Sequence, residues 1–209
     1  MESISLSFKK VSFSYKNRKI LRDIDIKLSR TGVSVIYGDN GAGKTTLLRL
    51  MAGFLKPENG LITYCKDLRS SFVFQKPVLL RRSVEDNLLH VLMINNSMSR
   101  LKALSKVKDI LSKYDLSSLS KEYAFNLSGG QQQMISIIRA LITNPNIIFC
   151  DEPTSNLDTK NKVFVEDLLK ERSRLNKIVL ITQNENQSKK MADEVYELAN
   201  CKLNKISKR

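Results

Sequence analysis

The segment GDNGAGKTT, residues 38–46, constrains the fold of this chain more than any other stretch. It follows VSVIYG (33–38), a β-branched apolar run typical of strands that are buried on both faces of a parallel sheet. A helical pattern of apolar residues begins directly afterwards, at Leu47, Leu48, Leu50, Met51 and Leu55. A strand, a glycine-rich turn and a helix in this order match the phosphate-binding pattern G-x-x-x-x-G-K-[ST]. We therefore expect an α/β fold with this loop at the end of a parallel strand.

Each residue type in the loop has a chemical reason. Gly38, Gly41 and Gly43 let the backbone curl, so that successive N–H groups point at phosphate oxygens. The helix that follows adds the positive end of its dipole. Lys44 is expected to reach the β- and γ-phosphates of a nucleotide, and the Thr45 hydroxyl is expected to bind Mg²⁺. The remaining residues of the predicted nucleotide loop are Asn40, Ala42 and Thr46.

A second apolar run, IIFCDE (147–152), ends in two carboxylates. Taken alone, such a run equally predicts a pair of acidic residues in solvent at a strand end. Downstream of a phosphate loop, it predicts Asp151 beside Mg²⁺ and Glu152 as the group that orients or deprotonates an attacking water. The predicted reaction class is phosphoryl transfer to water.

The remaining periodicity indicates an α/β core with a helical insertion. Alternation at Phe8, Val11 and Phe13 predicts half-buried strands near the start of the chain. From Ser83, which with Asp86 forms a capping-box pattern, the period becomes helical. One predicted helix buries Leu88, Leu89 and Leu92, and the next carries an apolar stripe of Leu101, Leu104, Val107, Leu111 and Tyr114. A further helix (160–175) and a third buried strand, KIVLIT (177–182), complete the pattern.

The heptapeptide LSGGQQQ (127–133) predicts a second anion site. Ser128 is suited to cap a helix, and Gly129 and Gly130 expose backbone N–H groups at its N-terminus. The chain's own nucleotide already has a cradle at residues 38–46. A second cradle therefore implies that the nucleotide of a second molecule binds there.

With these motifs in this order, the whole chain resembles the ATP-binding cassette family. The resemblance implies a P-loop ATPase core with a mostly parallel sheet, an N-terminal antiparallel β subdomain and an inserted helical subdomain. It implies ATP and Mg²⁺ as cofactors, and a homodimer in which each ATP lies between one copy's P-loop and the other copy's signature. The predicted single ABC ATPase domain spans 1–209. Its catalytic core with the β subdomain comprises 1–75 and 131–209, and its helical subdomain comprises 76–130.

The resemblance assigns roles to three weaker signals. Tyr15 matches the aromatic residue that stacks on adenine, although its pattern equally allows a core aromatic. Gln75, in FVFQ, matches the glutamine that touches Mg²⁺ and water and that couples to the membrane partner. The segment SNLD matches a loop ending at Asp158 that communicates across the dimer, and Asp158 is also suited to cap a helix.

One position departs from the family pattern. In VLITQNE (179–185) the family carries a histidine that contacts the γ-phosphate and helps to hold the attacking water beside the catalytic Glu. Gln183 stands there, and the chain's single histidine is His90, in the helical segment. An amide donates and accepts hydrogen bonds but never becomes a cation. We therefore predict that Gln183 serves as a catalytic substitute and that the ATPase is slow.

Three classes of function remain open: a transporter ATPase working with membrane permease subunits, a DNA- or ribosome-acting ATPase, and a non-transport scaffold. Only about fifty residues separate Gln75 from the signature, without the long coiled coil of DNA-repair relatives. The segment QKPVLLRRSVEDNL (75–88) resembles importers of oxyanions such as tungstate, molybdate or phosphate, although it can equally be silent about cargo. We expect an importer subunit on the cytoplasmic face of the membrane, with an extracytoplasmic substrate-binding protein as an indirect partner.

The net charge of +14 does not change this expectation. The basic residues are spread along the chain, which favours a solvated surface over a nucleic-acid footprint or attraction to an anionic membrane. We expect no nucleic-acid partner. The scattered cysteines, Cys65, Cys150 and Cys201, fit a reducing compartment and lack metal-ligand spacing.

Overall fold

The protein is described by a computed structural model over residues 4–95, 98–155, 157–183 and 190–206. Within these residues the strands are β1 Ile4–Tyr15, β2 Arg18–Ser29, β3 Gly32–Tyr37, β4 Asn59–Tyr64, β5 Ser70–Val73, β6 Ile147–Asp151, β7 Lys177–Thr182, β8 Glu194–Ala199 and β9 Lys202–Ile206. The α-helices are α1 Lys44–Met51, α2 Val84–Asn95, α3 Arg100–Lys113, α4 Gly129–Ile142 and α5 Thr159–Ser173. The described residues divide into two compact units, the first within 1–72, 146–152 and 166–209, the second within 73–145 and 153–165.

The first unit begins with an antiparallel sheet in the order β2-β1-β4. Its strand pairing places apolar residues opposite one another, as in Phe8 with Ile26 and Val11 with Ile24. These four side chains are buried. Ile24 and Ile26 are alternate residues of β2 and point to the same face, and an irregularity of register between Phe8 and Val11 places both of those side chains on the buried face of β1. The predicted N-terminal β subdomain is therefore confirmed, with β4 as a strand that the sequence did not predict.

A six-stranded sheet in the order β5-β6-β7-β3-β8-β9 forms the centre of the first unit. Strands β6, β7, β3 and β8 run parallel, and β9 pairs antiparallel with β8. Every residue of β6 and β7 is buried, as expected of strands covered on both faces. Helix α1 contributes four buried side chains to the same core: Leu47, Leu48, Leu50 and Met51. The predicted α/β class with a mostly parallel sheet is confirmed.

Helices α2, α3 and α4 belong to the second unit. The Ser83 hydroxyl accepts a hydrogen bond from the Asp86 backbone N–H at 3.1 Å, as the capping pattern predicted for the start of α2. On α3 the buried face consists of Ala103, Val107 and Leu111. The prediction for Leu101 is wrong, because its side chain is 80% exposed. At about 100° per residue, Leu101 lies on the side of the helix opposite Ala103.

The second unit contains all described residues of the predicted helical segment 76–130 and extends beyond it on both sides. The domain boundaries at residues 75 and 131 stay predictions. None of the helices in the described ranges is long and apolar enough to cross a membrane.

Candidate nucleotide-binding and hydrolysis site

Three neighbouring strands of the first unit deliver the predicted catalytic residues to one edge of the sheet. Strand β7 lies between β6 and β3, and the three strands are parallel. The loop that begins at Gly38 follows β3, Glu152 follows β6, and Gln183 follows β7. Carboxyl ends of adjacent parallel strands form the usual ligand crevice of open α/β sheets. Residues from three separate motifs therefore meet at this edge.

The loop between β3 and α1 has a conformation that requires glycine at two positions. Gly43 has φ +103°, and a Cβ added there would lie 2.7 Å from Cγ2 of Ile20. At Gly38, with φ +156°, an added Cβ would collide with the backbone carbonyl of Leu198. The chain also turns tightly within the loop, where the Ala42 N–H donates to the Asp39 carbonyl at 3.2 Å. Side chains at these glycines would open the curl that directs N–H groups towards phosphate.

Lys44 lies inside this curl and is only 7% exposed. Its Nζ donates to the carbonyl oxygens of Gly38 at 2.8 Å and Asp39 at 2.9 Å. Burial lowers the pKa of Lys44, and the charges of Glu152, Asp151 and Asp39 oppose that shift. The ammonium group is therefore held at the loop by backbone oxygens and by nearby carboxylates, where it can contact phosphate groups.

Thr45 and Asp151 form a pair of hard oxygen ligands. The Thr45 hydroxyl donates to Oδ1 of Asp151 at 3.3 Å, and Asp151 is 7% exposed. Burial raises the pKa of Asp151, the Thr45 hydrogen bond opposes the shift, and the charge of Glu152 adds to it. A cation beside this buried carboxylate would stabilise its ionised form.

These residues fit Mg²⁺ as the resemblance implied. Mg²⁺ prefers oxygen ligands and is usually bound by one or two protein groups together with water and phosphate oxygens. In the described parts of the chain no group of three or more His, Cys, Asp or Glu residues could hold a metal. Two protein oxygen ligands, from Thr45 and Asp151, suit a cation that arrives with the phosphate oxygens of a nucleotide. Thr45 and Asp151 would hold it.

Glu152 directly follows β6 in a backbone conformation that is rare for a residue with a side chain. Its φ is +46°, in the left-handed region. Its N–H donates to the carbonyl of Ile181 at 3.1 Å, which fixes the backbone against β7. Non-glycine residues in this region cost about 1–3 kcal/mol and cluster at functional sites. The backbone at Glu152 is therefore strained, and this conformation sets the direction of the carboxylate.

Gln183 contacts Glu152 directly. Its Nε2 donates to Oε1 of the Glu152 carboxylate at 2.7 Å, a short bond to a charged acceptor. The sequence pointed to a γ-phosphate contact for Gln183 and did not predict this bond. The two residues follow adjacent parallel strands, with Asp151 paired to Ile181, and this register brings their side chains together. The amide thus fixes one oxygen of the predicted general base.

Tyr15, at the end of β1, is 45% exposed and packs edge-to-face against Phe13, with ring centroids 4.9 Å apart. The alternative that it is a core aromatic is therefore wrong. An exposed ring that packs against Phe13 is a suitable surface for stacking a flat base. The adenine-stacking role of Tyr15 stays a prediction.

The signature residues lie at the start of α4, in the second unit. Ser128 is the N-cap: its hydroxyl accepts from the Gln131 N–H at 3.3 Å, and the Gln131 side chain accepts from the Ser128 N–H at 2.9 Å. Gly129 and Gly130 form the first turn, and a Cβ on Gly129 would meet no atom of the described chain within 4 Å. The predicted helix cap is present, with open space at the position of a Gly129 side chain.

Two further predicted residues also belong to the second unit. Gln75 is exposed and follows the end of β5. Asp158 caps α5, since its carboxylate accepts from both the backbone N–H and the side-chain amide of Asn161 at 2.8 Å. The backbone hydrogen bond from Asn161 lowers the pKa of Asp158. Within SNLD, Asn156 lies outside the described residues.

The sequence did not single out Gln133, although its side chain is only 1% exposed and bonded to two loops. Three consecutive glutamines give no periodic signal that would distinguish the buried one. The neighbouring pattern of apolar residues from Met134 to Ile138 was the available hint that this face of the helix is covered.

Comparisons with known proteins agree with this geometry. A sequence model of the ABC transporter family matches residues 21–155. EgtV, the ergothioneine transport ATP-binding protein of Helicobacter pylori, is 29% identical over 92% of this chain and 96% of its own length. LolD, the lipoprotein-releasing system ATP-binding protein of Buchnera aphidicola, is 32% identical over 92% of each chain. A solved structure described as a metal-chelate type ABC transporter in an inward-facing conformation is 28% identical, covers 98% of this chain and 84% of that chain, and has a TM-score of 0.85. The chain belongs to the ABC transporter family and is an ATP-hydrolysing transporter subunit.

Proposed function

We propose that this chain binds Mg²⁺–ATP at the carboxyl edge of its parallel sheet and hydrolyses it with Glu152 as the general base. The observation that carries this proposal is the 2.7 Å hydrogen bond that aims the Glu152 carboxylate. Glu152 follows β6, and only β7 separates that strand from β3, which leads into the loop that holds Lys44. General bases act only within hydrogen-bond reach of the water that they deprotonate, so a fixed direction is a requirement of the chemistry.

Each site residue of the first unit has a separate role in this reaction. The loop amides and Lys44 bind the phosphates, and Thr45 and Asp151 hold the cation. When bound, Mg²⁺ supplies positive charge that polarises the phosphate oxygens. Glu152 accepts a proton from water, while Gln183 keeps its carboxylate oriented and remains neutral at every physiological pH.

The second half of the site comes from a second copy of the chain. Gly129 and Gly130 present backbone N–H groups at a helix start that Ser128 caps, and the open space at Gly129 can receive phosphate groups from outside the chain. We infer a homodimer in the ATP state, with each ATP between the P-loop of one copy and the signature of the other. Tyr15, Gln75 and the loop ending at Asp158 complete the site in the roles given by the family resemblance.

The partner of the dimer is a membrane permease, on the cytoplasmic face of the cell membrane. The three free cysteines support a reducing compartment. The matched relatives are named for ergothioneine transport and lipoprotein release, and the solved structure for metal chelates, so the comparisons give no support to tungstate. The oxyanion cargo, with an extracytoplasmic binding protein, stays a prediction that rests on residues 75–88 alone.

Replacing the general base tests this function. The variant Glu152→Gln keeps the phosphate-binding residues, so it should bind ATP, form an ATP-dependent dimer on gel filtration and lose nearly all turnover. The matched control is Glu171→Gln, an isosteric change on an exposed side chain of α5 that should hydrolyse ATP normally. A Glu152→Gln protein with normal turnover, or one that stays monomeric with ATP at high concentration, would contradict the proposal.

A further inference from the structure

The three consecutive glutamines of the signature segment have three different partners. Gln131 closes the capping box on Ser128. The Gln132 amide donates to the Leu127 carbonyl at 3.0 Å, within the same turn of chain. Gln133 alone turns into the second unit, where it bonds to segments distant in sequence. Among the three glutamines, Gln133 is therefore the one whose described hydrogen bonds connect the signature helix to other segments of the unit.

Gln133 joins the segments beside two predicted site residues, the metal ligand Gln75 and the catalytic Glu152. Its Nε2 donates to the carbonyl oxygen of Phe74 at 3.3 Å and to that of Pro153 at 3.2 Å. Phe74 directly precedes Gln75, and Pro153 directly follows Glu152. One buried amide thus holds the backbone beside both residues.

The other atom of this amide indicates that Gln133 is not there for stability alone. Its Oε1 is buried and has no hydrogen-bond partner among the residues that the structure describes. Burying a polar atom without a partner is unfavourable. An apolar side chain of similar length would avoid that cost, and it would lose both donated bonds.

A second side chain of α4 holds the segment that begins at Phe74 by its other end, at Val78. Arg139 donates from Nη2 to the carbonyl oxygen of Val78 at 2.6 Å. Burial lowers the pKa of Arg139, yet an arginine remains charged at physiological pH. Gln75 therefore lies in a short stretch of backbone anchored to α4 on both sides, at Phe74 and at Val78.

We propose that Gln133 and Arg139 are positioning residues that tie the signature helix to the backbone around Gln75 and, through Pro153, to the backbone beside Glu152. This inference rests on the proposed function, since it assumes that Glu152 is the base and that Gln75 couples to the membrane partner. Gln133 and Arg139 lie on the same continuous helix as the signature turn, so a displacement of the anchored segment can be carried along that helix to its N-terminus. Because of these two anchors, a permease that moves the backbone around Gln75 would also move the signature turn.

The test compares Gln133→Met with Gln132→Met. Methionine has a similar volume and removes the amide donors without adding charge. For Gln133→Met we expect kcat to fall about 10- to 100-fold, the range for a small misplacement of catalytic groups, with the KM for ATP changed much less. Gln132→Met loses only a bond within its own turn and should keep kcat close to that of the natural chain. Rates are expressed per folded, nucleotide-binding molecule, and urea unfolding is measured in parallel.

Arg139→Met is a second, independent test of the positioning role, and it applies even if Gln133→Met does not fold. It should also lower kcat per folded molecule while ATP affinity is retained. Normal kcat in the folded variants, a fall no larger than that of Gln132→Met, or a loss explained wholly by the unfolded fraction would overturn the inference. Failure of the proposed function itself would look different, because Glu152→Gln would then retain turnover in an otherwise natural chain.

Discussion

Removing the side chain of Gln183 should slow ATP hydrolysis by an amount that follows from its one bond to the general base. Gln183→Ala deletes the donor that lies 2.7 Å from Oε1 of Glu152. Hydrogen bonds to charged groups contribute about 1.5–3 kcal/mol, which corresponds to about 10- to 150-fold in rate if the bond persists in the transition state. Gln183 is exposed and Glu152 is half-buried, so water competes for the bond. We therefore expect the lower end, about a tenfold fall in kcat.

The assay is steady-state ATPase activity over a range of ATP concentrations, because Gln183 should affect kcat more than KM. The restoring variant is Gln183→His, made together with His90→Gln so that position 183 carries the single histidine of the chain. This protein should turn over faster than the natural chain, since we predict a deficit of about ten- to a thousandfold against a histidine-bearing site. Its rate should also acquire a titration from the new imidazole, which the natural chain lacks at this position.

A Gln183→Ala protein that hydrolyses ATP as fast as the natural chain would refute this reasoning, because the bond to Glu152 would then have no part in catalysis. A large rise in KM with unchanged kcat would also count against it. That result would place Gln183 in nucleotide binding instead of in the orientation of the base.

Two further predictions concern charge. Although burial opposes the shift, hydrogen bonds from Lys205 and Ser34 and the charge of Lys177 lower the pKa of Glu194 to about 2. Its ionised form therefore stabilises the fold above the unfolded value of about 4.3, and this contribution is lost as the pH falls towards 2. In urea unfolding, Glu194→Gln should be less stable than the natural chain at pH 7, with a difference that shrinks below pH about 4; a constant difference would contradict the assignment. The charge of +14 should give only weak, sequence-independent DNA binding that is steeply lost with salt, and DNA that stimulates hydrolysis would favour a nucleic-acid role instead.

The sequence predicted best where chemistry restricts the residue types. The loop of residues 38–46 and the carboxylates at 151 and 152 belong to motifs whose spacing reflects phosphate and Mg²⁺ geometry. The buried strands β3, β6 and β7 were equally predictable, because each is a short apolar run rich in Val and Ile. Strand β4 was missed because five of its six residues are exposed, which leaves no alternation to detect. The β8–β9 hairpin was missed because its turn residues, Asn200 and Cys201, have positive φ without the glycine that usually marks such turns.

The contact between Gln183 and Glu152 could not be predicted, for a different reason. It depends on the register of two strands that are about thirty residues apart in sequence, and no local pattern records that register. The same holds for Gln133, whose partners at Phe74 and Pro153 come from two other segments. The family resemblance assigned roles to single residues, and the hydrogen bonds between those residues became visible only in the structure.

Mixing two inactive variants tests the central claim, that each ATP is hydrolysed between the P-loop of one copy and the signature of another. Lys44→Ala damages only the P-loop, and Gly129→Asp damages only the signature, in a position where an added Cβ meets no atom of the described chain. Each protein alone should be inactive. An equal mixture should recover about one quarter of the natural activity, because half of a random population of dimers would contain one intact site of two. A mixture as inactive as its components would contradict the account, since it would show that the P-loop and the signature must act within the same copy.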